Sequence, residues 1–261
     1  IIFGGVANFA ASGGFGPNQV STVLGVGAFS LSVHLLFKRK YSGFLVLDVI
    51  LIIYLFYRNL LTFSRGGFIT GILALGFFIT LFLLSGKNKT QNVLKYIGII
   101  SFVGIAIWVY TSDVTGGMIE NRYSNRNASG VVKQDISAGR TGIFESELDG
   151  LYENPVFGMG VGSGKYKRLE ETGMIIASHN EVSRLLGEHG LIGIIILIIL
   201  FVVPIFNSFN QPLYAKAFLG AFFIFWFLTI NHSAMRVAFP GFIYGLSLIR
   251  IQLNEENTIY R

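Results

Sequence analysis

The chain has 261 residues, 52% of them hydrophobic and only 13% charged, with 25 Phe and no Cys; its mean hydropathy is +0.61. A soluble domain carries about 25% charged residues, so the deficit excludes an ordinary soluble globule and points to lipid as solvent. The lack of cysteine removes disulfides and thiolate catalysis without naming a compartment. The formal charge of +6 is unevenly spread: residues 113–189 hold eleven acids against eight Lys or Arg, about −3, leaving about +9 for the rest. A nucleic-acid protein would gather its bases on one face or arm. Here they punctuate apolar runs, so membrane lipids are expected partners and nucleic acid is not.

Taken in order, the chain opens on Ile1 with no charged n-region before an apolar core. It therefore reads as a fragment with its start removed, not as a protein with a signal peptide. Residues 1–18 are small and Gly-rich and end in a Pro-Asn turn signal. Residues 19–37 are apolar for about 19 positions, enough to span a bilayer, and Lys38-Arg39-Lys40 stops them. Residues 43–63 and 68–84 form two further runs, separated by Ser64-Arg65-Gly66-Gly67, and 93–110 a fourth. After a long polar segment come 191–206, 217–230 and a shorter run, 239–253. The fold class predicted is an all-α integral membrane bundle with about seven transmembrane helices and a large, partly helical extracytoplasmic loop. It divides into 1–112 with four spans, the loop 113–189, and 190–261 with three spans and a cytoplasmic tail. The positive-inside rule supports this orientation, because most Lys and Arg outside the loop fall on one side.

Within the polar segment, GRTGIFESELDGLY (139–152) places Ile143, Phe144, Leu148 and Leu151 on one helical face, and Asn154-Pro155 ends that helix. The run GMGVGSG (158–164) resembles a dinucleotide loop only in composition. No buried strand is predicted before it and no helix on its last glycine, so it reads as a turn. Ser178 and Glu181 fit a capping box, with a helix starting at His179 or Asn180 and Val182, Leu185 and Leu186 facing inward. His179 would then sit in the first turn, where the helix's positive end favours neutral imidazole.

Several side chains invite a chemical reading beside a plain one. Arg65, in an SRGG turn at a membrane edge, reads either as a snorkelling interfacial arginine or as an anion ligand beside glycines that admit a close approach. Arg140 is either a surface charge or its partner, since two converging guanidiniums suit a pyrophosphate. His179 is either a capping-region histidine or a base. His34 reads as packing between helices, His189 as a helix-end residue at the membrane surface, and His232 as interfacial. No His or Cys pair has metal-ligand spacing, so no metal site is assigned.

His179-Asn180, nine residues, then Gly190-Leu191-Ile192-Gly193 resembles the signature of the bacterial O-antigen ligase family. Ser64-Arg65-Gly66 resembles that family's Ser-Arg-Gly element. The run 139–144 with Asn154-Pro155 and Gly158-x-Gly160-x-Gly162 resembles its large outer loop, and Gly16-Pro17-Asn18 fits its layout. The resemblance implies a multi-spanning, GT-C-like glycosyltransferase of the bacterial inner membrane, with its active-site loop periplasmic. The donor would be an undecaprenyl-diphosphate-linked glycan and the acceptor lipid A-core or another glycan. No nucleotide, metal or other cofactor is implied, and transfer would invert the anomeric carbon. Family members have about a dozen helices, so N-terminal helices would be missing here. Carried over residue by residue, Arg65 and Arg140 bind the diphosphate, His179 orients or deprotonates the acceptor, and Asn180 supports it. Arg236, in NHSAMR, is a further phosphate contact that no motif supports. A repeat-unit polymerase is the alternative within the family. A polysaccharide transporter or flippase is the alternative outside it; that reading asks for ionisable residues deep in the spans, and only Asp48 and His34 qualify.

Overall fold

A computed structural model describes residues 7–85, 89–135, 137, 139–233 and 237–251. These described residues form ten helices: α1 Pro17–Leu36, α2 Leu45–Leu61, α3 Arg65–Leu84, α4 Lys89–Val114, α5 Met118–Tyr123, α6 Arg140–Glu153, α7 Gly164–Thr172, α8 Glu181–Phe209, α9 Leu213–His232 and α10 Ala238–Leu246. Among the described residues the only strand-like feature is an isolated bridge between Arg126 and Val132. Among the described residues four helices, α1, α3, α8 and α9, are long and apolar enough to cross a membrane, so the chain is multi-pass. The other three predicted runs are shorter: α2 has 17 residues, the apolar part of α4 is Gly98–Val114, and α10 has 9. Large apolar side chains stand exposed along these helices, among them Ile195, Ile198, Ile199 and Phe206 of α8. Such a surface is stable only against lipid or a partner.

Packing between helices follows side-chain size. Gly71 of α3 lies so close to α1 that a Cβ there would come within 3.2 Å of Gly25 Cα. A Cβ on Gly67 would strike Ser21 of α1. Gly67 and Gly71 make a small-x-x-x-small stripe, which is how membrane helices approach without a hydrophobic driving force. Asn59 of α2 adds a polar tie, donating to the Ser21 carbonyl at 2.9 Å and accepting from its hydroxyl. On its other face α3 runs along α9, where Phe29, Phe78, Phe225 and Trp226 are buried. Phe29 meets Phe78 and Phe225 edge-on at centroid distances of 5.4 and 5.5 Å.

Four local expectations are corrected. A helix does open on the last glycine of GMGVGSG, α7 at Gly164, though no strand precedes it. The cap of α8 is Asn180 in place of Ser178: its side-chain oxygen accepts from the Val182 and Ser183 amides at 2.8 and 3.2 Å. His179 therefore precedes the helix, and the Ser178–Glu181 capping box does not form. The buried stripe of α6 is Ser146, Glu147 and Gly150, with Phe144 exposed, because α6 packs on a helix whose own buried face, Glu181, Ser183, Gly187 and Glu188, is polar or small. His34 is also exposed, its ring 5.9 Å from that of Tyr41, and does not pack between helices.

Helix α8 breaks at Gly190, whose φ of 58° and ψ of −134° no ordinary side chain adopts. The break frees the Gly187 and Glu188 carbonyls, which accept from the Met159 and Gly160 amides at 2.9 and 3.1 Å, while the Leu191 amide donates to Pro155 at 2.8 Å. A Cβ on Gly190 would fall 2.6 Å from the Gly158 nitrogen. Gly190→Ala is expected to destabilise the protein by at least about 1–3 kcal/mol from backbone strain alone, read as a lowered unfolding midpoint in detergent. Gly142→Ala, where a Cβ meets nothing within 4 Å, is the control and should hold or raise the midpoint. A Gly190→Ala midpoint equal to wild type would show that the break relaxes freely.

Candidate active site

The site is built at the start of α3. Phe63, at a φ of 54°, turns the chain so that Ser64 caps the helix, accepting from the Gly67 amide at 3.3 Å. The Ser64 hydroxyl donates to Asn18 at 2.8 Å, and the Asn18 amide donates to the His232 carbonyl at 3.1 Å. This chain ties the starts of α1 and α3 to the end of α9. His232 is buried, and its ring lies on Gly66: a Cβ there would sit 2.6 Å from the His232 Cγ. Its Nδ1 stands 2.6 Å from the Leu228 carbonyl and so carries the proton, leaving Nε2 toward the Thr22 hydroxyl at 3.5 Å. Gly66 is thus small because a histidine occupies the space beside it.

Arg65 is the first residue of α3 and half-buried. Arg122, from α5, donates through Nε to the Phe63 carbonyl at 3.0 Å, which fixes it to the turn immediately before Arg65. Arg140 stands at the start of α6. Desolvation lowers the Arg122 pKa from the usual arginine range, and the charges of Arg65 and Arg140 lower it further. Arg140 is lowered in the same way, first by desolvation and then by Arg65. Three guanidiniums from three helices therefore lie within electrostatic reach of one another, all still cations at neutral pH. Among the described residues neither Arg122 nor Arg140 is in an ion pair. Tyr123 lies beside them, its ring 5.0 Å from Trp108 and its buried hydroxyl without a hydrogen-bond partner; burial raises its pKa. Such a mouth suits an anion with several oxygens.

Of the residues singled out from sequence, Arg65 and Arg140 come together. Asn180 caps α8 and reaches across to Asn231 of α9 at 3.3 Å, next to His232. His179 is exposed in the bend just before that cap. His232 lies within electrostatic reach of Arg140. Arg236 lies outside the described residues. His189 is half-buried in α8 immediately before the break. Sequence reasoning missed Arg122, whose setting in MIENRY looks like any exposed short helix, and it left His232 as merely interfacial. The available cue was that His232 follows Asn231 at a helix end that must meet the SRGG turn. Among the described residues no group of three or more His, Asp or Glu is placed to hold a metal.

The Asn180 arrangement separates two roles. Asn180→Ala removes both the cap and the tie to α9 and should cost about 0.5–2 kcal/mol. Asn180→Asp keeps an oxygen for the cap at a helix N-terminus that favours negative charge, and should lose less. Thermal unfolding of the two variants checks the order; equal losses would mean that the cap is not what Asn180 supplies.

A family model described as O-antigen ligase matches residues 50–198. No curated protein and no solved structure matches the chain. The matched stretch includes Arg65, Arg122, Arg140, His179, Asn180 and the Gly190 break, and it covers more than half of the 261 residues. The chain belongs to the O-antigen ligase family.

Proposed function

We propose that this chain is a glycosyltransferase of the O-antigen ligase type, which moves a glycan from undecaprenyl diphosphate to a lipid A-core acceptor at the outer face of the inner membrane. The observation that carries the reading is the approach of Arg65, Arg122 and Arg140 to one another from α3, α5 and α6. In this reading residues 1–112 and 190–261 supply the membrane helices, and 113–189 lie on the periplasmic side. The acceptor hydroxyl attacks the anomeric carbon from the face opposite the diphosphate. The bond from carbon to the diphosphate oxygen breaks, and its electron pair leaves with the lipid diphosphate. Arginines aimed at that oxygen stabilise charge that grows only as the bond breaks, which lowers the barrier itself and not merely the binding energy. His179, exposed beside the Asn180 cap, takes the acceptor proton or orients the hydroxyl. The donor brings its own leaving group, so neither nucleotide nor metal is written into the step, and the anomeric configuration inverts.

A transporter reading gains nothing from Asp48. Its carboxylate accepts from the Tyr41 and Ser42 amides at 2.8 and 2.9 Å, so it closes the turn before α2 and does not line a path.

The test uses the full-length protein in its native host, with the locus deleted and complemented at matched expression. Arg65→Ala and Arg140→Ala should each lower the transfer rate in isolated membranes by about 10²–10³-fold, the usual effect of removing a donor to developing negative charge. Arg122→Ala, whose guanidinium is partly spent on the Phe63 carbonyl, should cost about tenfold. Full-length glycan should accumulate on the lipid carrier. Accumulation of single repeats would instead identify a polymerase, and unchanged glycans in the Arg65 and Arg140 variants would refute the assignment.

A further inference from the structure

A second polar cavity, of about 230 Å³, lies between α7 and the first turns of α8, lined by Gly162, Lys165, Arg168, Ser178, Arg184 and Glu188. Its lining includes none of Arg65, Arg122, Arg140, His179 or Asn180, although Ser178 precedes His179 directly. Its walls are built, not incidental. Arg168 is 3% exposed and locked in place: its Nε donates to the Ile176 carbonyl at 2.8 Å and its Nη1 to Glu147 at 3.1 Å. Glu147 in turn accepts from the Ser183 hydroxyl at 2.6 Å. Arg184 is held from behind by Glu181, with Nε at 2.7 Å. Glu188 is the exception. Its side chain is 6% exposed and ion-paired with Arg184 Nη1 at 3.8 Å, and among the described residues the carboxylate itself accepts no hydrogen bond. A carboxylate so little exposed, paired at a distance too long for a hydrogen bond, gains from donors that a ligand in the cavity supplies.

Three cations stand here against three carboxylates, Glu147, Glu181 and Glu188. That balance gives a phosphate or other anion no advantage and sets a carboxylate in its way. What it fits is a neutral group that offers and accepts several hydrogen bonds at once. Pockets for drug-sized ligands begin at about 300 Å³, so this one suits a smaller unit. We propose that the cavity bounded by Lys165, Arg184 and Glu188 is a subsite for one monosaccharide unit of the glycan, with Glu188 accepting from adjacent sugar hydroxyls and Lys165 and Arg184 donating to ring oxygens. This rests on the glycosyltransferase reading. The sugar can belong to donor or acceptor, which share that chemistry.

The experiment is saturation-transfer NMR with the full-length protein in lipid nanodiscs. Two probes are used: the glycan released from the lipid carrier by mild acid, and the delipidated acceptor saccharide from the host envelope. At least one probe should show transfer to its sugar protons, and which one does identifies the source. Glu188→Gln and Lys165→Ala should each weaken that binding about tenfold, the loss of one good hydrogen bond. Arg140→Ala should lower glycan transfer by about 10²–10³-fold and leave sugar binding intact, so failure of the catalytic assignment shows separately. Lys165 is exposed, so its variant decides the matter even where Glu188→Gln fails to fold. No signal from either probe with wild type, or wild-type binding by the Lys165 variant, overturns the proposal.

Discussion

The constraint on which the rest of this structure depends is the break in α8. A continuous helix running from a polar surface segment into the membrane would satisfy its own carbonyls and offer nothing to bind. At Gly190 the ladder is interrupted, and the freed Gly187 and Glu188 carbonyls must find donors. They find them in the Met159 and Gly160 amides, so the glycine-rich segment after α6 lies flat on α8. The contact is close because glycines meet on both sides: a Cβ on Gly158 would fall 2.3 Å from the Glu188 carbonyl carbon, and one on Gly187 would fall 2.4 Å from the Glu147 carbonyl oxygen. Once the end of α6 is fastened, its axis is set, and Arg140 at its other end is held toward Arg65.

The charged groups of this region are used in two opposite ways. Arg168 and Glu147 are both buried and satisfy each other and their neighbours. Pairs of this kind add little net stability, since desolvation offsets the attraction; their effect is to orient α6, α7 and α8. Arg122 and Arg140 differ, being in no ion pair among the described residues, and they lie within electrostatic reach of Arg65. They disfavour one another's charge, and arginine cannot shed its proton to relieve the repulsion. The scaffold therefore holds them together by other means, with Arg122 bonded to the Phe63 carbonyl and the Ser64–Asn18–His232 chain anchoring the start of α3. Cations whose charges oppose one another suit an anion with several oxygens.

Much of the fold was legible in the sequence because lipid imposes a coarse rule: long apolar runs are helices. The rule gave seven runs and could not grade them, and four reach spanning length and apolarity in the structure. The face of α6 was misread for a physical reason. Apolar periodicity finds a buried face only where the core is apolar, and α6 rests on Gly187, Ser183 and Glu188 instead. Arg65 and Arg140 were singled out through their short motifs, and the structure brings their charges within reach of one another. Arg122 was not, because its guanidinium is placed by a single bond to a backbone carbonyl 59 positions earlier, which no local pattern records.

The spacing of His179-Asn180 and Gly190 has a mechanical meaning that the bare motif conceals. Asn180 is a cap tied to α9, and Gly190 is a break locked to the segment after α6. The nine residues between them form a rigid stretch of helix about 14 Å long at 1.5 Å per residue. Both ends are fixed to different parts of the protein, so its length and its rotation are fixed together. One inserted residue would turn the far end by about 100° relative to the near one. That turn would carry the Gly187 and Glu188 carbonyls away from the Met159 and Gly160 amides, free the glycine-rich segment, and with it the axis that points Arg140 at Arg65. The motif is therefore a ruler as much as a set of functional groups, and its glycine matters to the arginine mouth without touching it.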